Sequence, residues 1–91
     1  MGRLLVMSER TIADTQRTSY LEALAVRRAL AAAASVNFWI FEQQGMRGRF
    51  LEFLEAGREA SLHAAILAFA SVDVHYLSAL TRWVEVAPPG S

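Results

Sequence analysis

Residues 36 to 56 read VNFWIFEQQGMRGRFLEFLEA, two apolar runs of β character joined by a short polar turn. Side chains alternate between faces along a strand, so Val36, Phe38 and Ile40 point one way and Asn37, Trp39 and Phe41 the other. The return arm, residues 49 to 55, repeats this: Phe50 and Leu54 share one face, Leu51 and Phe53 the opposite one. Gly45 and Gly48 in the connecting QQGMRG supply the backbone angles of a tight turn or bulge, and the segment predicts a β-hairpin. A small sheet in water normally keeps one apolar and one polar face, so strands apolar on both sides require two covers. Helices of the same chain are the expected source of one, and a second copy of the chain of the other.

The flanking pattern supplies those helices. Residues 3 to 11 alternate weakly, Leu4 and Val6 against Leu5 and Met7, and predict a first strand. Asp14, Thr15 and Thr18 are candidate N-caps for a long alanine- and leucine-rich helix running to Ala34. On it Tyr20, Ala23, Leu24, Leu30, Ala31 and Ala34 share a face that Arg27 interrupts, and Ser35 ends it. After Gly57, Leu62, Ala65, Ile66 and Phe69 fall at helical spacing and mark a second amphipathic helix. Residues 71 to 79 fit either a helical continuation or a loop, and residues 81 to 86 predict a last strand. The resulting order, β-α-β-β-α-β, is the split βαβ arrangement of an α+β, ferredoxin-like fold with a four-stranded antiparallel sheet. One domain over residues 1 to 87 is expected, with a loosely attached tail, residues 88 to 91.

Composition sharpens the need for a partner. A 91-residue chain buries only about 60 to 65% of its unfolded surface, and a hydrophobic fraction of 54% suits a protomer that completes its core by pairing. Nine basic residues, all arginine, and nine acidic ones are scattered to a net charge of zero, which argues against nucleic acid as partner. The absence of cysteine excludes disulfides, thiolate nucleophiles and thiolate metal sites. The apolar runs are too short for a signal-peptide core or a membrane span, so a cytoplasmic protein with no membrane association is expected.

The run NFWIFEQQGMRGRFLEFLEAGREASLHAA resembles the middle of the antibiotic-biosynthesis-monooxygenase-like group of the dimeric α+β barrel superfamily. There a strand, a turn ending near an arginine-aromatic pair, a second strand with an acidic residue and a helix bearing a histidine follow in this order. Arg49-Phe50, Glu52 or Glu55, and His63 stand in those places. The resemblance covers about a third of the chain closely and the rest by element order. It implies a homodimer whose two sheets face each other as a barrel with helices outside, which would cover Trp39 and Phe41. Members include cofactor-free oxygenases of polycyclic aromatics, haem-degrading enzymes, polyketide cyclases and isomerases, so the superfamily does not select a chemistry. Haem-degrading members use an asparagine on the first strand, and residues 3 to 11 contain none.

Candidate chemistry follows from residue types. A histidine near a cavity can act as a base or metal ligand, which makes His63 a candidate, yet one turn from Glu59 it also suits a helix surface. His75 has only Asp73 nearby, too few ligands for a metal. Asn37 could stabilise an oxyanion while Trp39 stacks on a ring, or both could be core and interface residues. Arg27 could anchor a substrate carboxylate, reach water along its stem, or pair with Glu52 or Glu55. Tyr20 and Tyr76 are possible proton donors, in positions where tyrosine commonly packs with its hydroxyl at the rim. No GxSxG serine or phosphate-cradling glycine loop is present.

Two readings emerge. The first is a homodimer enclosing a small apolar cavity between each sheet and its helices, a cofactor-independent monooxygenase or cyclase acting on a hydrophobic aromatic or polyketide-like molecule. In it His63, Asn37, Tyr76 and Tyr20 are catalytic, Trp39, Phe41 and Arg27 bind substrate, and neither cofactor nor metal takes part. The second is a non-catalytic ligand-binding or structural dimerisation module. They separate on geometry, because catalysis in this form needs His63 and Asn37 to reach one cavity.

Overall fold

The computed structural model describes residues 3 to 89; the expected tail therefore falls partly outside the described residues, at Gly90 and Ser91. Strands β1 (Leu4–Thr11), β2 (Asn37–Glu42), β3 (Arg49–Ala56) and β4 (Leu80–Val84) form one antiparallel sheet in the order β2-β3-β1-β4. Helices α1 (Arg17–Ala33) and α2 (Glu59–Val72) pack side by side, α1 against β2 and α2 over β3. The β-α-β-β-α-β order is that of a ferredoxin-like α+β fold, as the hydrophobic pattern predicted.

Register determines which side chains meet. Phe38, Leu54 and Val6 lie abreast across β2, β3 and β1, as do Ile40, Glu52 and Ser8 one step along. These rows face the helices and, with Phe50 and Ala56, build the core against Tyr20, Leu24 and Ala31 of α1 and Leu62, Ala65, Ile66 and Phe69 of α2. The four α2 residues at helical spacing are all buried. The opposite face carries Asn37, Trp39 and Phe41 beside Glu55, Phe53 and Leu51, which pair in turn with Leu5, Met7 and Glu9.

The element ends have local causes. Beyond Ala34, Ser35 takes a left-handed conformation at φ 59°. Its N–H donates to the Ala32 carbonyl and that of Val36 to Ala31, a Schellman close with serine where glycine usually stands. The start differs from expectation: none of Asp14, Thr15 and Thr18 caps α1 with its side chain, because a 3-10 turn over Asp14–Gln16 leads into the helix. Asp14 instead receives the Arg47 guanidinium at 2.8 Å. Gly48 is required twice over, by its left-handed backbone (φ 90°) and because a Cβ there would collide with the Ile12 carbonyl oxygen. Of residues 71 to 79, the first two extend α2 and the rest form a connection with one 3-10 turn, Leu77–Ala79.

Candidate functional site

The inward alternation of β3 places a carboxylate, Glu52, in the middle of an otherwise apolar face, opposite Ser8. Helical periodicity puts Tyr20 and Arg27 two turns apart on the buried side of α1, and both reach that carboxylate. The Tyr20 hydroxyl donates to Glu52 Oε2 at 2.5 Å and Arg27 Nη2 to the same oxygen at 2.8 Å. Arg10, inward-facing on β1, holds its Nε 3.8 Å from that oxygen. Its Nη2 donates to Asp73 Oδ2 at 2.6 Å, while Arg27 Nη1 lies 4.0 Å from the same Asp73 oxygen. Tyr76, only 2% exposed, closes the cluster. Its ring packs 5.1 Å from that of Phe69, with the Arg10 guanidinium 6.0 Å from its centre.

Two guanidinium groups and two carboxylates therefore meet under the helices with no net charge. Each ion offsets the desolvation cost of its neighbours, which a lone buried charge could not survive. Hydrogen-bonding capacity is nevertheless left over: Ser8 Oγ, Arg10 Nε, Arg27 Nε and Glu52 Oε1 are buried without a partner. Burial, then the hydrogen bond and charge of Glu52, raises the Tyr20 pKa far above that of an ordinary phenol, against the opposing pull of Arg27 and Arg10. Burial and the Glu52 charge do the same to Tyr76. Both tyrosines thus stay protonated at neutral pH and act only as O–H groups. Burial pushes the Asp73 carboxyl up, but the Arg10 hydrogen bond and the His75 N–H outweigh it and leave its pKa lowered.

The outer sheet face is different chemistry. Trp39, Phe41 and Trp83 are 46%, 55% and 55% exposed and stand among Leu5, Met7, Leu51 and Phe53. Phe41 and Phe53 meet edge to face at 5.8 Å. Asn37 donates to Glu55 Oε1 at 3.2 Å, so its amide serves Glu55 and not the Trp39 indole. Shallow depressions of about 180 and 200 Å³ lie on this face, one lined by Leu5, Glu55, Trp83 and Val84, the other by Glu9, Phe41, Arg49 and Leu51. Both fall below the volume of an ordinary small-molecule pocket, roughly 300 to 1,000 Å³.

Of the residues singled out in the sequence, Tyr20, Tyr76 and Arg27 converge on the inner cluster. Arg27 pairs with Glu52 and not with Glu55, which the strand alternation sends to the other face. The Tyr20 hydroxyl is inside instead of at a rim, since Glu52 gives it a buried acceptor, and the connection after α2 folds the Tyr76 ring inward. Asn37, Trp39 and Phe41 are on the outer face, and His63 is exposed on α2. His63 and Asn37 are separated by the sheet, so they do not reach one cavity and catalysis in the form that needs both is not supported. Glu52, Arg10, Ser8 and Asp73 are the members that pattern reading did not single out as site residues. The inward position of a glutamate between Phe50 and Leu54 was the available signal for the first; Asp73, in an irregular connection, had none. Among the described residues, no group of three or more His, Asp and Glu side chains is placed to hold a metal ion. No helix of the described residues is long and apolar enough to cross a membrane.

No family model and no curated protein matches this sequence. Solved structures do match its fold. An antibiotic biosynthesis monooxygenase superposes with a TM-score of 0.69 at 16% identity, over 94% of this chain and 99% of that one. SnoaB from Streptomyces nogalater, a cofactor-independent oxygenase, superposes with a TM-score of 0.69 at 8% identity, over 100% and 97%. A dimeric ferredoxin-like protein from an uncultured marine organism gives 0.66 at 13% identity, over 97% and 99%. At these identities the likeness establishes architecture, and the chain carries the ferredoxin-like α+β fold of the antibiotic-biosynthesis-monooxygenase-like proteins.

Proposed function

We propose that the protein is a homodimeric α+β barrel that acts as a cofactor-independent monooxygenase or cyclase on a hydrophobic aromatic or polyketide-like molecule. The observation that carries this is the inner cluster, where a buried carboxylate, two guanidinium groups and a serine hydroxyl, beside two tyrosines, leave four polar atoms unpartnered. Its fold likeness to a cofactor-independent oxygenase supports the reaction class.

The chemistry such a cluster can perform follows from its charges. Glu52 Oε1 accepts a proton from an enolisable C–H or a phenolic O–H, and the Arg10 and Arg27 N–H groups stabilise the resulting anion. The cluster starts neutral, so taking the proton on Glu52 leaves it with one net positive charge, carried by the two guanidinium groups that face the substrate anion. In an oxygenase the electron-rich anion reduces dioxygen; one oxygen atom converts a ring CH2 to C=O, and the other leaves as water with its two hydrogens. In a cyclase the same anion attacks a carbonyl of its own chain. Within this reading the base and oxyanion roles considered for His63 and Asn37 pass to Glu52 and the arginines, while Trp39 and Phe41 serve assembly. The outer face has the anatomy of an interface, with an apolar centre of Met7, Trp39, Leu51 and Phe53 between the Arg3–Glu55–Glu85 and Arg49–Glu9 ion pairs.

A second reading, a dimer without catalysis, is favoured by the packing of Phe38, Leu54 and Phe69 in the space between sheet and helices. The two separate by mass spectrometry of the purified native dimer combined with oxygen uptake on anthrones and naphthols. The enzyme reading expects a bound aromatic and oxygen consumption that Glu52→Gln abolishes and His63→Ala leaves intact. A clean dimer that binds and oxidises nothing leaves the structural module.

A further inference from the structure

Tyr76 and Asp73, which border the inner cluster, belong to one short connection between α2 and β4. The backbone hydrogen bonds of residues 73 to 79 are local: Asp73 N–H to the Phe69 carbonyl, Tyr76 to Asp73 and Ala79 to Tyr76. The side chains of Ser78 and Asp73 likewise bond within it, to the His75 carbonyl and N–H. Val74, His75 and Leu77 point to solvent, Val74 at 87% exposure. Attachment to the sheet runs through the Asp73 carboxylate on Arg10 and the Tyr76 ring lodged between Arg10 and Phe69. Ser8, whose Oγ is unpartnered, pairs in register with Leu80, the residue that follows the connection, and the unpartnered Glu52 Oε1 belongs to the carboxylate that Arg10 approaches beside Asp73.

We propose that residues 73 to 79 form a hinged cover over the inner polar cluster, latched by the Arg10–Asp73 ion pair and opened by swinging Tyr76 outward while sheet and helices stay folded. Opening exposes Ser8 and Glu52 at the end of the sheet where β1 and β4 pair. That this controls substrate entry rests on the function proposed above; the motion itself does not, and its test uses no substrate. Segments with exposed, purely local backbone hydrogen bonds open below the free energy of global unfolding, and apart from the Asp73 and Tyr76 side chains this connection is of that kind.

The chain has no cysteine, so single introduced thiols report opening without interference. Ser8→Cys places a thiol under the cover and Ala65→Cys one in the core between α2 and the sheet. With the disulfide reagent DTNB, Asp73→Asn is expected to speed labelling at position 8 by about tenfold or more, the effect of losing one charge-assisted hydrogen bond. Labelling at position 65 stays within about twofold, because it requires global opening. Equal acceleration at both positions would show that Asp73 merely stabilises the whole fold, and no acceleration at either would show that no latch exists; each overturns the proposal. Hydrogen exchange on the unaltered protein guards against a misfolded variant. The Tyr76 and Ala79 amides should exchange about 100-fold or more faster than those of the β1–β3 ladder, and matched rates would also overturn the cover.

Discussion

The two faces of this one sheet use the same alternating strands for opposite ends. On the inner face, Glu52 sits between Phe50 and Leu54, and the helices bury it together with Arg27, Arg10 and Tyr20. On the outer face, the neighbouring positions Leu51 and Phe53 join Trp39 and Phe41 in an apolar surface that none of the described residues covers. Charge is hidden where the chain closes on itself, and oil is exposed where it does not. The contrast shows that buried polarity here is a local, internally paired device, while exposed hydrophobicity marks surface awaiting a partner.

The largest effect that would test this contrast is removal of the inner carboxylate. Glu52→Ala leaves two guanidinium groups facing only Asp73, and a loss of about 3 to 5 kcal/mol is expected in urea unfolding. A variant as stable as the parent would mean that the cluster is solvated. Next comes the outer face: Trp39→Asp should convert the proposed dimer to monomer in analytical ultracentrifugation, costing roughly 2 kcal/mol or more of interface burial, while the fold persists by far-ultraviolet circular dichroism. An unchanged sedimentation coefficient would remove this face as the interface.

Acid probes the ion pairs that border both faces. Glu42 is held down to about 2, first by the Arg17 hydrogen bond and then by the Gly48 N–H, and Asp73 is lowered by Arg10 despite its burial. Carboxylates depressed on folding stabilise the native state above their unfolded pKa, near 4, and that stability is lost as pH falls through the folded values. Unfolding midpoints should therefore be flat from neutral down to about pH 5 and decline below 4. In Asp73→Asn the decline should be shallower. A smaller change, touching neither face, calibrates the others: Ser35→Gly relieves the left-handed backbone that closes α1 and should stabilise by about 1 kcal/mol. His63→Ala, on an exposed helix position, should stay within about 0.5 kcal/mol.

Alternation and helical spacing are local properties, and they made the element order, the hairpin, both helix faces and the division of residues 36 to 42 between two faces legible in the chain. Periodicity even marked Arg27 as an intruder on its helix, with Glu52 or Glu55 as a partner. What the sequence could not rank was which charged residues meet. Tyr20, Glu52 and Asp73 lie on three different elements, and only the packing of α1 over the sheet and the return of the connection after α2 brings them to one point. The same reason separates His63 from Asn37: each reads as chemically able, but the sheet stands between them. Pattern along a chain fixes which way a side chain points, while the distances on which chemistry depends arise only when distant segments pack.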